Sequence, residues 1–181
     1  MASTIESGSG KDIIVVDEAD QGKIDVVELP NAEVTEIAVN SAIKGLELGL
    51  SGEKDVAISG ARLKDAKISN EAPKGETVNV TLAVTKAAKL EFATSGKGAT
   101  ELSVPEGKFL NSSITTAKGK AEDSISFGAS STIKGASISL GKGSDTLTFS
   151  GRMKGKTTVE SGKGRDLIEV NSKDRGKGKL V

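Results

Sequence analysis

The chain has 181 residues, with 25 Lys and Arg against 25 Asp and Glu, 22 Gly, four Phe, three Pro, and no Cys, His, Trp or Tyr. That length fits one domain of ordinary size, but so few aromatic side chains leave little for a conventional globular core. Without Cys or His, disulfides, zinc sites, haem and every His- or Cys-based catalytic centre are excluded. No stretch nears the run of about 18 apolar residues that spans a bilayer, so no membrane partner is expected, and the first residues are not read as a secretory signal.

In chain order, an apolar pair two residues apart appears at Ile14/Val16 and returns at Ile37/Val39, Val56/Ile58, Val78/Val80, Leu102/Val104, Ile125/Phe127, Leu147/Phe149 and Ile168/Val170. A spacing of two is the strand period and puts both side chains on one face. The copies recur at intervals of 19 to 24 residues. Midway between them runs a second apolar series, Val26, Leu48, Ile68, Leu90, Ile114, Ile138 and Val159, which predicts a second strand in each unit. Turns are marked by Ile43-Lys-Gly45, Ile133-Lys-Gly135 and Met153-Lys-Gly155. Helix is expected almost nowhere. The weak exceptions are Ala61–Ile68 and Thr81–Leu90, the second of which allows a helical turn. That segment coincides with a 24-residue interval and has Pro73 and Pro105 nearby, so irregularity is expected mid-chain.

Two short strands joined by glycine turns, repeating near 22 residues, describe one rung of a solenoid. The expected fold is all-β, a single-domain parallel β-solenoid of about eight rungs over residues 1–170, followed by a basic tail at 171–181. A lone rung cannot stand, because a handful of buried aliphatic side chains does not offset roughly 1–2 kcal/mol of backbone entropy for each ordered residue. Stacking covers each inward side chain with an equivalent one, so like columns are required. Phe127 over Phe149, and Leu147 between Ile125 and Ile168, are the expected ladders. A β-sandwich is the alternative, since evenly spaced strands occur there too.

Charge is balanced overall but not along the chain. Residues 1–60 carry twelve acidic and four basic side chains, net −8, and the remainder carries net +8. The basic part lacks the aromatic side chains that stack on bases, so no nucleic-acid partner is expected. The plain reading of this dipole is solubility, and an acidic end meeting a basic end in an assembly is the alternative.

Three segments share one turn: Ser7-Gly-Ser-Gly-Lys-Asp12, Leu140-Gly-Lys-Gly-Ser-Asp145 and Ser161-Gly-Lys-Gly-Arg-Asp166. The aligned position across the eight copies reads Asp12, Thr35, Lys54, Glu76, Thr100, Asp123, Asp145 and Asp166. This x-Gly-x-Gly-x-Asp pattern resembles the RTX nonapeptide, though without its first Gly and in longer rungs. The resemblance implies calcium bound between stacked turns, with Asp123, Asp145 and Asp166 as the candidate metal ligands. Lys142, Lys163 and Arg165 in the same loops oppose a second cation. The plainer reading is that the glycines shape the corner while each Asp accepts backbone N–H groups.

Neither a Walker loop nor a His base is present, no long loop builds a cleft, and the chain is not expected to be an enzyme. Ser124/Ser126, Ser137/Ser139 and Thr146/Thr148 form an outward hydroxyl ladder, which admits a soluble ice- or glycan-binding module as an alternative. The leading expectation is a structural protein that self-associates or docks on a larger shell or filament, with a virion surface (decoration, cement, knob or fibre) as its setting. A calcium-binding, RTX-like extracellular matrix or surface-layer protein is the second alternative.

Overall fold

The computed structural model describes residues 2–7, 10–16, 23–28, 32–51, 55–116, 119–171 and 179–180. One sheet is built from β1 (Ala2–Ser7), β3 (Lys23–Glu28), β5 (Glu47–Ser51), β7 (Lys67–Ala72), β9 (Glu91–Gly96), β11 (Ser113–Thr115), β13 (Ser137–Ser139), β16 (Lys156–Glu160) and β18 (Lys179–Leu180), adjacent in that order. The other is built from β2 (Gly10–Val16), β4 (Ala32–Lys44), β6 (Asp55–Lys64), β8 (Thr77–Ala88), β10 (Ala99–Leu110), β12 (Ser124–Lys134), β14 (Thr146–Phe149) and β17 (Leu167–Val170), with β15 (Arg152–Lys154) also paired to β12. The chain alternates between sheets, so each strand's neighbours come from the turns before and after it. Among the described residues every strand pairing is parallel. The fold is therefore a parallel β-solenoid, with nine strands stacked in one sheet and eight in the other. A sandwich of antiparallel hairpins is ruled out by the pairing. Among the described residues there is no helix, and so none long and apolar enough to cross a membrane.

Stacking of like over like is what holds the turns. Leu102, Ile125, Leu147 and Ile168 pair in register, and Val104, Phe127, Phe149 and Val170 run beside them. Phe127 and Phe149 lie with ring centroids 5.5 Å apart, and Phe109 meets Phe127 edge-on at 6.2 Å. All four phenylalanines are in the core.

In the earlier turns the register departs from the expected columns by two residues. Ile37 pairs with Ile58 rather than Val56, and Leu102 pairs with Val80 rather than Val78. In the second series Leu48 pairs with Ile24 rather than Val26, and Ile68 pairs with Phe92 rather than Leu90. A slip of two keeps the same face inward, so hydrophobic pattern does not distinguish the two registers. The segment Thr81–Leu90 holds no helical turn; β8 continues as strand to Ala88. The expected irregularity lies at its borders, in the turn at Pro73–Glu76 and in the register shift between Val104 and Glu106.

The long strands have two segments. In β6 the buried side chains are Val56 and Ile58, then Leu63, with exposed Ser59 and Gly60 between. Ile58 and Leu63 are five residues apart, so the alternation changes phase at the break in β6; opposite it β4 has a bulge between Val39 and Ala42, and its buried Ile37 and Ile43 are six apart. Ile43, Leu63, Ala87, Phe109, Ile133 and Met153 form the inward column of the second segment.

A corner follows. Gly45, Gly135 and Gly155, the ends of the three Lys-Gly turns, have φ near 70°. The same corner is made in the intervening turns by Asp65, Lys89 and Asn111, with φ of 51°, 54° and 49°. Asp and Asn tolerate this conformation better than Lys. Lys89 is 3.8 Å from Asp65.

Among the described residues a buried amide has a stability consequence. Asn70 is 1% exposed, and its side-chain N and O have no hydrogen-bond partner, while Leu50 stands at the equivalent place in the turn before. Burying an unpaired amide costs free energy that an aliphatic side chain does not. Asn70→Leu is expected to raise stability by about 1–3 kcal/mol in urea unfolding. A lowered unfolding midpoint would show that Asn70 is satisfied in the native state.

Candidate functional site

The structure brings Asp123, Asp145 and Asp166 together at one edge of the stack, in consecutive turns. Thr146 N–H donates to the Asp123 carbonyl and Leu167 N–H to the Asp145 carbonyl, each at 2.8 Å, which fixes the three backbones one above another. Their loops approach so closely that only glycine fits at key points. A Cβ on Gly143 or Gly164, both at positive φ, would strike the carbonyl of Ala121 or Gly143 respectively.

The carboxylates form a ladder between turns. Thr100 N–H donates to Asp123 Oδ1 at 2.8 Å, Asp123 N–H to Asp145 Oδ1 at 2.9 Å, and Asp145 N–H to Asp166 Oδ1 at 3.1 Å. Each Asp thus accepts the amide of the equivalent residue in the preceding turn rather than one in its own turn. The Thr116 hydroxyl also bonds the Asp123 side chain, and itself accepts Gly141 N–H at 3.1 Å. Thr100 heads the ladder as aligned, but Glu76 does not belong to it, because Val78 pairs with Thr100. Lys54 lies outside the described residues.

Asp123 and Asp145 are buried, at 2% and 0% exposure, and Asp166 is half-buried. Burial raises the carboxyl pKa of both Asp123 and Asp145 above the ordinary 3.8. For Asp123 the bonds from Thr116 and Thr100 oppose that rise, and the Asp145 charge adds to it. For Asp145 the Asp123 amide opposes it, while Asp166 and Glu122 add to it. Asp145 Oδ2 is buried without a partner.

Calcium takes six to eight oxygens in a shell it shares with water or carbonyls. Here one oxygen of each carboxylate is committed to an amide, and the described residues include no group of three or more His, Cys, Asp or Glu able to hold a metal. The donor set does not fit the ion that the RTX resemblance implies.

No family model, curated protein or solved structure matches the chain.

The ladder's own chemistry is acceptance of amide protons that the change from turn to strand would leave unpaired. Thr100 and Thr116 were not singled out as partners from the sequence. Thr116 had a signal in its column-mate Thr94, one turn earlier, which is also buried. Along the same edge, Lys74, Lys97, Lys120 and Lys142 line an open groove of about 800 Å³ on successive turns. Lys142 and Lys163 are bridged in parallel, and both side chains are exposed. The outward hydroxyls expected on β12 and β14 are in register, Ser124 with Thr146 and Ser126 with Thr148.

Proposed function

We propose that this protein is a non-enzymatic structural component that associates with copies of itself or docks on a larger assembly. The observation that supports this most directly lies at the two ends of the strand order. The strand order ends at β1 and β2 on one side and at β17 and β18 on the other, with no helix among the described residues to cover them. At the β17 end Leu167 is 52% exposed, and Ile168, which continues an inward column, is 38% exposed. Parallel edge strands that present apolar side chains are templates for further strands.

Charge gives the association a direction, since the first 60 residues carry net −8 and the rest +8. A virion surface, as decoration, cement, knob or fibre, is the setting that this reading favours by analogy with other repeat-built rods. The likeness to RTX turns is read as one of corner shape, with Asp holding amides where that family holds calcium.

Sedimentation velocity at rising protein concentration tests the reading. Species larger than the monomer are expected, and they should recede between about 0.05 M and about 0.5 M salt, where screening shortens from roughly 14 Å to 4 Å. A monomer at every concentration would overturn self-association, and association indifferent to salt would overturn the charge pairing.

A further inference from the structure

The solenoid segregates charge by face as well as by length. On the second segment of the long strands, between the break and the positive-φ corner, the outward side chains are cationic in turn after turn. Arg62 stands beside Lys86 and Lys86 beside Lys108. Two residues on, Lys44 stands beside Lys64 and Lys134 beside Lys154. The remaining outward positions there are Ala42, Ala88, Leu110, Thr132 and Arg152. None is acidic. The bordering carboxylates are Asp65, at the corner and facing Lys89, and Glu106 at the bulge.

The other sheet treats charge differently. Glu47, Lys67 and Glu91 alternate along one column, and Lys67 reaches Glu91 at 4.0 Å. Alternation relieves a stacked column, whereas like charges one strand apart, about 4.8 Å, repel. Among the described residues no carboxylate pairs with Arg62, Lys64, Lys86, Lys108 or Lys134. The face is a strip of cations at strand spacing, roughly 24 Å long across six turns, and no described carboxylate neutralises those five.

We infer that this face binds a linear anionic polysaccharide laid along the solenoid axis, with carboxylate or sulfate groups meeting successive turns. Regular spacing in one dimension suits an extended polymer with a charge on every sugar or two. Nucleic acid would offer phosphates, but its bases would meet no stacking partner. All four phenylalanines are buried, and there is no Trp or Tyr. The inference is independent of self-association, since the face lies along the side of the stack and not at its ends.

The probes are heparin, a polyuronate, neutral dextran and single-stranded poly(dT), each titrated into the full chain by calorimetry. Heparin and the polyuronate are expected to bind with an affinity that falls steeply with salt, and dextran not to bind. The variant R62Q/K86Q/K108Q should lose about tenfold or more, while K74Q/K97Q/K120Q, with the same charge change on the loop edge, should lose less than about threefold. All six side chains point outward, so unchanged melting temperatures check that both variants fold. Equal loss in the two variants would reduce the effect to net charge and overturn the site. Binding of poly(dT) as tight as that of the polysaccharides would overturn the ligand class.

Discussion

Phe127→Ala is expected to cost about 3–5 kcal/mol, a large share of the 5–15 kcal/mol typical of a folded domain. Phe127 is 1% exposed, touches Phe149 below and Phe109 edge-on, and pairs in register with Val104 above. Removing the ring leaves a void bounded by two neighbouring turns, and neither can close it without breaking the register of its own strands. In a solenoid each turn contacts only its neighbours, so a defect at β12 weakens the link between the two ends of the stack. Urea unfolding should show a lower midpoint and a shallower slope, as the two portions cease to unfold together. Ser126→Ala, one residue away and facing outward, serves as the control, with a change within about 0.5 kcal/mol. A loss below about 1 kcal/mol for Phe127→Ala would mean that the aromatic ladder does not pack as described.

The solenoid itself was legible because stacking makes equivalent positions alike, and from Leu102 onward the expected columns coincide with the register. Upstream, Val56 and Ile58 are both inward, as are Val78 and Val80. Either member of each pair satisfies the pattern, and only the hydrogen bonds decide between them. The column through Ile14, Ile37, Ile58 and Leu82 has steps of 23, 21 and 24, which avoids the short 19-residue step implied by pairing Ile37 with Val56. Leu90 was placed in the wrong column for the same reason, since Phe92 two residues later is buried too.

Other features needed more than periodicity. The corner at Asp65, Lys89 and Asn111 carries no glycine, so nothing in the residue types announces it; only its alignment with Gly45 and Gly135 does. The cationic face was hidden by the phase change at the break. Arg62 and Lys64 share inward Ile58's parity, and a continuous alternation would turn them into the core. Asp145 and Asp166 are marked by their glycine turns and Asp123 by its place in the aligned column, and the plainer reading foresaw amide acceptance, though within one turn. The partner amides belong to the preceding turn, a relation that depends on vertical stacking rather than on the local motif.

The carboxylate ladder makes the second large prediction, in which acid stabilises. Asp123 and Asp145 have folded-state pKa values raised above 3.8, chiefly by burial, so the folded chain binds these protons more tightly than the unfolded chain does. By linkage, the stability they contribute is fully present below the unfolded value and is lost as pH rises through the raised folded values. Acidification from neutrality toward about pH 4 should therefore strengthen this part of the structure. Asp145→Asn keeps an oxygen to accept the Asp123 amide and removes the buried charge, so it should match or exceed the parent at pH 7 and flatten the pH dependence. Asp145→Ala removes the acceptor and leaves that amide buried and unpaired, at a cost of about 1–3 kcal/mol at any pH. Denaturant unfolding of the three proteins from pH 7 down to about pH 4 reads both effects. If Asn and Ala prove equally destabilising, acceptance through Oδ1 is not what Asp145 contributes. If the parent weakens on acidification while Asp145→Asn does not, the buried carboxylate is stabilised by its ionised form, and the ladder is held by charge rather than by the neutral acid.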